Sequence, residues 1–294
     1  MWGARDVTVR FDGGHGAAPA LDAVTVSLPR GEVTALVGGD GAGKTTLLRA
    51  LVRRVALAGG SVDVPSVERV GFQPATSGVW RTLSVAENVE FVGAAYSMGR
   101  KSLTARADEL LGRAGLDGAR DRLGGQLSGG MRQKLGFCLA MLHEPDLLLL
   151  DEPSTGVDPV SRVELWRLVA EAAAAGTAIA LATTYLDEAE RAATVVALDA
   201  GRVLAAADPP GVVAAVPGQV TVSDRRPDGD DPGPADVPPG SDDGPSLPLA
   251  ARTWRRGTAF HTWTPPGTDA PPGEKVVPDL EDALVVLSLA GASS

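Results

Sequence analysis

Apolar residues recur along this chain in distinct rhythms, and each rhythm predicts an element. Val7 to Phe11, Ala23 to Leu28 and Glu32 to Val37 are short β-branched runs punctuated by Asp12-Gly13-Gly14 and Pro29-Arg30-Gly31, a pattern that predicts an antiparallel entry sheet. Within Lys44 to Arg54, Leu47, Leu48 and Leu51 fall at helical spacing just after a glycine-rich turn, so this stretch reads strand, loop, helix. Ser84-Val85-Ala86-Glu87 has the form of a capping box and opens a helix to about Tyr96, and Leu103 to Ala114 gives a second. Together they define a helical insert over about 75–125. Ser128 caps a third helix, Gly129 to Leu142, ahead of Asp146 to Leu150, whose unbroken apolar character marks a central parallel strand. Asp158-Pro159 starts a helix that runs to Gly176, and a strand follows from Thr177 to Ala182. Strands alternating with helices over residues 32–200 predict an α/β, doubly wound domain with a mostly parallel core sheet, an antiparallel β subdomain and a helical subdomain.

Past Pro217 the pattern changes. The expected division is a domain over 1–216 and a small α+β appendage over 217–294. In the appendage, Gln219 to Val222 and Arg252 to Trp263 read as strands and Asp279 to Ala290 as an amphipathic helix. Between them, 224–247 is rich in Pro, Gly and Asp with almost no apolar content, and reads as a disordered loop that cannot offset its ordering entropy.

Charge refines this division. The 294 residues carry 27 Lys+Arg against 37 Asp+Glu, a formal charge of −10, the wrong sign for coating nucleic-acid phosphates. Residues 224–247 hold seven Asp and two Arg, so half of the excess sits in the acidic loop. The N-terminal residues lack a basic segment followed by an apolar one, and no window is apolar enough to span a bilayer, so a cytoplasmic protein is expected. Cys138 is the only cysteine, which excludes an internal disulfide and a Cys-based zinc cluster; it reads as a small buried apolar residue.

The chemistry is concentrated in two motifs. Gly38-Gly39-Asp40-Gly41-Ala42-Gly43-Lys44-Thr45-Thr46 fits G-x-x-x-x-G-K-[ST] between a strand and a helix. Glycines let the backbone fold round a phosphate with its N–H groups inward, Lys44 reaches the β and γ phosphates, and Thr45 can ligate Mg²⁺. Leu147 to Leu150 ends in Asp151-Glu152, where Asp151 can orient Mg²⁺ and Glu152 can polarise an attacking water. Without the phosphate loop, that pair would read equally well as a solvated turn.

Leu127-Ser128-Gly129-Gly130-Met131-Arg132-Gln133-Lys134 resembles the signature motif of ABC ATPases. With the phosphate loop, Pro153 to Pro159 and Tyr185 to Glu190, the resemblance covers residues 5 to about 216. It implies ATP and Mg²⁺ as ligands, with Ser128, Gly129 and Gly130 closing over the nucleotide of a second ABC ATPase subunit, in a homo- or heterodimer. It also places Asp158 at the nucleotide site and Phe11 where an aromatic stacks on adenine; ordinary core is the alternative for Phe11. Pro278 to Leu284 resembles the closing helix of the drug and polymer exporter branch, also called ABC-2 type, as do Asp40 and the Tyr185 to Glu190 run. The implied protein is an ATP-hydrolysing subunit of an exporter, peripheral at the cytoplasmic membrane face, docked through residues 75–125 on separate transmembrane permease subunits, with no nucleic-acid partner.

Two positions depart from the family pattern. Ala75 stands where the family carries a Gln that touches Mg²⁺ and the attacking water; Gln73, two residues earlier, is a substitute only if its side chain reaches the same place. Thr184 stands at the switch-histidine position, and a Thr is shorter and cannot become cationic. These departures support a second expectation, a catalytically weak ATP-binding partner in an asymmetric dimer. A soluble mechanoenzyme acting on ribosomes or DNA fits poorly, because such proteins need two cassettes in one chain or a long coiled-coil insertion.

Overall fold

The computed structural model describes residues 2–11, 18–227 and 247–292; most of the acidic loop read at 224–247 lies outside them. The described chain divides into two compact units, Met1–Ala206 and Ala207–Ser294, ten residues before the boundary read at 216.

The first unit begins with β1 (Trp2–Val9) and β2 (Leu21–Leu28), an antiparallel pair, and β3 (Val33–Val37). Helix α1 (Lys44–Leu51) follows the glycine-rich turn, and β4 (Gly59–Asp63) returns to pair with the other edge of β1. The antiparallel sheet is therefore β2-β1-β4. The third run read from sequence, β3, instead joins the parallel sheet: its residues Val33 to Val37 are all buried, which suits a strand covered on both faces. β1 is irregular between Arg5 and Thr8, and Gly60, at φ 77°, lies so close that a Cβ there would fall 2.3 Å from the Asp6 carbonyl oxygen.

Next come β5 (Val70–Gln73), α2 (Val85–Ala95), α3 (Arg100–Ala114) and α4 (Gly129–Met141). The capping box at α2 forms as read: Ser84 Oγ accepts from the Glu87 N–H at 3.1 Å while Glu87 Oε2 accepts from the Ser84 N–H at 2.7 Å. In α4, Ser128 Oγ caps the Met131 N–H, and the residues from Gln133 to Met141 are all buried. Cys138 lies among them, its thiol pushed up to about 12 by burial.

β6 (Leu147–Asp151), α5 (Pro159–Ala174), β7 (Ala178–Ala182), the short α6 (Leu186–Ala189), β8 (Thr194–Asp199) and β9 (Arg202–Ala207) complete this unit. The core sheet runs β5-β6-β7-β3-β8-β9, with β5/β6, β6/β7, β7/β3 and β3/β8 parallel. Its centre is apolar throughout: Leu147 to Leu150 are fully buried, each contributing about 2 kcal/mol by leaving water. α1 packs between this sheet and the antiparallel one in a single hydrophobic cluster that includes Val7, Leu21, Leu47, Leu51 and Leu149.

The second unit holds α7 (Pro209–Ala214), capped by Asp208, then β10 (Gln219–Ser223), β11 (Thr253–Arg256), β12 (Ala259–Thr264), β13 (Glu274–Val276) and α8 (Leu280–Ala292). The strands form a sheet ordered β11-β12-β10-β13. The run read as one strand from Arg252 to Trp263 is a hairpin turning at Gly257. Val220, Trp263 and Val286 make the core, and Arg256 is ion-paired with Asp279 and Glu281 at the start of α8. Among the described residues no helix is long and apolar enough to cross a membrane.

Candidate functional site

Phosphate chemistry needs inward-facing N–H groups, a cation and a base, and the chain brings all three to the carboxyl ends of β3 and β6. The turn after β3 runs through Gly43, which heads α1 at φ 104°, a left-handed conformation that glycine adopts without strain. The first N–H groups of a helix have no partner within it, so the start of α1 offers donors to an anion. Lys44 is only 8% exposed, and its Nζ donates to the carbonyls of Gly38 and Gly39 at 2.7 and 3.2 Å. This places the ammonium beneath the loop, 3.8 Å from Glu152 Oε1.

Asp151 and Glu152 end β6 as read. Asp151 is 4% exposed, and its Oδ1 accepts from the Thr45 hydroxyl at 2.9 Å. A buried carboxylate whose hydrogen bond comes from a neutral hydroxyl is well placed to receive a cation, and these hard oxygen donors without His or Cys suit Mg²⁺. Among the described residues no three His, Cys, Asp or Glu side chains gather to hold an ion, so a cation here must complete its shell with phosphate oxygens or water. Glu152 itself sits at φ 50°, an unusual conformation for a residue with a Cβ, with its N–H bound to the Ala182 carbonyl of β7 at 2.9 Å.

Lys44, Thr45 and Glu152 line one cavity of about 470 Å³, and Asp151, behind its wall, meets it through the Thr45 hydroxyl. Its wall includes Gly39 through Thr46, Ala75, Glu152, Thr155 and Thr184, with Ala20 from the segment before β2. Gly38, the first residue of the motif, contributes its carbonyl to Lys44 instead. Two residues of this wall went unread in the sequence. Thr155 Oγ1 donates to Glu152 Oε2 at 3.1 Å; its place three residues after Glu152 was the available signal. Ala20 carries no signal, because it is brought in by its N–H bond to the Val9 carbonyl across the β1–β2 hairpin.

Thr184 reaches the same carboxylate, donating to Glu152 Oε2 at 3.3 Å, so a hydroxyl occupies the position where an imidazole was missed. Gln73 is corrected. Its side chain is fully buried and turned inward, with Nε2 donating to the Gln133 carbonyl at 3.1 Å and to Gln133 Oε1 at 2.7 Å. These bonds hold it against α4 and outside the cavity wall, so it does not replace the missing Gln, and Ala75, beyond the end of β5, presents only a methyl.

Ser128, Gly129, Gly130 and Asp158 form a separate cluster. Asp158 is corrected as a residue of this cavity: it is not in the wall, and its Oδ1 is spent capping α5 by accepting from the Val160 and Ser161 N–H groups at 3.1 and 3.0 Å. Those bonds hold its carboxyl below the usual range. It lies against the signature turn: a Cβ on Gly130 would fall 3.4 Å from Asp158 Oδ2 and 2.5 Å from Ser161 Oγ, so only glycine allows this approach. Phe11, just past β1, is 56% exposed, which removes the ordinary-core alternative.

Comparison with known proteins agrees with this arrangement. A family model described as ABC transporter matches residues 21–155. The daunorubicin resistance ATP-binding protein DrrA2 of Streptomyces coeruleorubidus is 36% identical over 225 residues, covering 72% of this chain and 70% of that protein. The probable multidrug ABC transporter ATP-binding protein YbhF of Escherichia coli (strain K12) is 38% identical over 214 residues, 68% of this chain but 36% of that protein, so this chain matches well under half of the relative's length. A solved structure described as an ATP binding subunit of an ABC transporter superposes with a TM-score of 0.65 at 28% identity, over 73% of this chain and 92% of the other. The chain belongs to the family of ABC transporter ATP-binding proteins.

Proposed function

We propose that this chain is the ATP-binding and ATP-hydrolysing subunit of an exporter, acting as a dimer on separate membrane-spanning subunits. The observation that carries the reading is the shared cavity in which buried Lys44, the start of α1, the Thr45–Asp151 pair and Glu152 converge. Export as the direction of transport rests on the likeness to DrrA2 and YbhF, whose names describe drug resistance and multidrug transport.

The residues divide the work. N–H groups of the glycine turn and α1 bind phosphate oxygens, and Lys44 exchanges its carbonyl bonds for the β and γ phosphates. Thr45 and Asp151 would hold Mg²⁺, which when bound would neutralise phosphate charge. Glu152 accepts the proton of the attacking water, and the Thr155 and Thr184 hydroxyls on its Oε2 orient the carboxylate so that Oε1 faces the Lys44 side. Phe11 is exposed and available to stack on adenine. Ser128, Gly129 and Gly130 stand apart from the cavity and complete the site of a second ABC subunit, with Asp158 beside them. Residues 75–125 offer the docking surface for the permease, and a cytoplasmic, membrane-peripheral location follows from that role.

A second reading, an ATP-binding partner with little turnover, is favoured by the methyl of Ala75 and the short side chain of Thr184 in the cavity wall. Phosphate release by the purified full-length chain, alone and with candidate partner cassettes and membrane subunits, tests the choice. Turnover that rises on assembly supports the enzyme; ATP-dependent dimerisation without turnover supports the binding partner.

A further inference from the structure

We propose that Arg162 is a positioning residue for the Thr184 hydroxyl, and that through it the signature turn and the Glu152 carboxylate of one chain are held as a single mechanical unit. The inference rests on the reading above, in which the signature turn serves the second subunit and Glu152 serves this one.

Arg162 lies in the first turn of α5, where its N–H donates to the Asp158 carbonyl at 3.0 Å. Its guanidinium carbon stands 4.1 Å from the centre of the Tyr185 ring, and Nη2 donates to Asp187 Oδ2. Nε is buried with no hydrogen-bond partner. A planar cation that spends its face on one residue and its edge on another is held in one orientation, which a lysine ammonium cannot reproduce. Tyr185 directly follows Thr184, so the clamp acts on the residue next to the hydroxyl that orients Glu152.

On its other side Thr184 is fixed through Thr183. The Thr183 N–H donates to the Leu36 carbonyl of β3 at 3.1 Å, and its hydroxyl donates to the buried Glu188 at 2.6 Å while accepting the Tyr185 N–H at 3.0 Å. Thr184 thus sits between one anchor on the core sheet and one on α5. Its own bond to Glu152 is already long at 3.3 Å, and a threonine hydroxyl, fixed close to the backbone, has no length in reserve. A small drift of the segment abolishes that contact, which makes the Arg162 anchor decisive here.

The same first turn of α5 leads to the signature turn without slack. A Cβ on Gly130 would meet Ser161 at 2.5 Å, and one on Gly129 would fall 2.9 Å from the Gly156 carbonyl oxygen. When the Ser128–Gly130 turn takes up a phosphate of the second subunit, its displacement passes through Ser161 and Arg162 to Tyr185 and Thr184. Packed elements with no room between them transmit such shifts.

The test uses the full-length chain. Arg162→Ala lowers kcat about 5- to 10-fold while KM for ATP stays within about twofold, because the cavity wall is untouched. In a Thr184→Ala background the same substitution costs nothing further. Tyr185→Phe keeps the ring and the activity, Tyr185→Leu behaves like Arg162→Ala, and Arg162→Lys falls between. Hydrogen exchange reads the clamp independently of turnover: amides at 184–188 exchange faster in Arg162→Ala, and more modestly in Tyr185→Leu, with those of β3 unchanged. Unaltered exchange at 184–188, or kinetic losses that add to those of Thr184→Ala, overturns the proposal. Absence of turnover in the unsubstituted chain overturns hydrolysis as the function, and the exchange measurement still decides the role of Arg162.

Discussion

Replacing Thr184 by histidine tests how the active site manages without an imidazole at this position. Thr184 is exposed in the cavity wall, so an imidazole can extend into open space without displacing core residues. Bonds to charged groups contribute about 1.5–3 kcal/mol, and the present hydroxyl's bond to the Glu152 carboxylate, long at 3.3 Å, falls at or below the low end of that range, which an imidazole bond of ordinary length reaches in full. An imidazole that donates to the charged γ-phosphate therefore gains about 1–2 kcal/mol over the hydroxyl where it bears on the transition state. At about 1.36 kcal/mol per factor of ten, the expected rise in kcat is about 5- to 30-fold. Steady-state phosphate release against ATP concentration measures it, with KM expected within about twofold because Lys44 and the glycine turn are unchanged. An unaltered or lower kcat with ATP affinity preserved refutes the reasoning and places the limitation elsewhere, with Ala75 the next suspect.

Three further outcomes follow from the same geometry. Lys44→Ala removes the buried ammonium under the phosphate loop and weakens ATP binding by about tenfold or more, measurable by isothermal titration. Gly136→Ala puts a Cβ 2.3 Å from the Ser77 carbonyl oxygen, a backbone atom that cannot move freely; it lowers stability by about 1–3 kcal/mol, read as a drop in Tm. Asp146 is held below the usual carboxylate range by hydrogen bonds from Arg69 at 2.9 and 3.0 Å, with Arg30 adding to the effect. The stability from that pairing is present above the unfolded carboxylate pKa and lost as pH falls through the lowered one, so thermal melts of Arg69→Ala decline less steeply than wild type below about pH 4.

The parts of the site that the sequence disclosed are those whose geometry is local. A glycine turn followed by Lys44-Thr45, and four leucines ending in Asp151-Glu152, specify their own backbone, and the capping pair Ser84–Glu87 likewise depends only on neighbours. Strand partnership is not local. β3 looked like a third antiparallel strand because its β-branched run resembles the first two, yet its partners are Ala178 to Ala182 and Thr194 to Asp199, more than a hundred residues away. The true third strand, Gly59–Asp63, begins with two glycines and alternates too weakly to announce itself. Alternation alone would set residues 73 and 75 on one face; they part because β5 ends at Gln73, and nothing in the sequence indicated that Gln133 would receive the Gln73 side chain. Thr155 and the Arg162–Tyr185 contact lay in plain view as residue types, but their roles exist only once β6, α5 and the loop after β7 converge.

The central claim is that Glu152 drives hydrolysis at a site that a second subunit completes, and Glu152→Gln addresses it most directly. Phosphate release and dimer mass by light scattering are measured together on the full-length chain with ATP and Mg²⁺. The account predicts that the substitution lowers phosphate release by at least about a hundredfold, the scale of a lost general base, while an ATP-dependent dimer accumulates. Phosphate release at the unsubstituted rate, or loss of release with no dimer at saturating ATP, would contradict it.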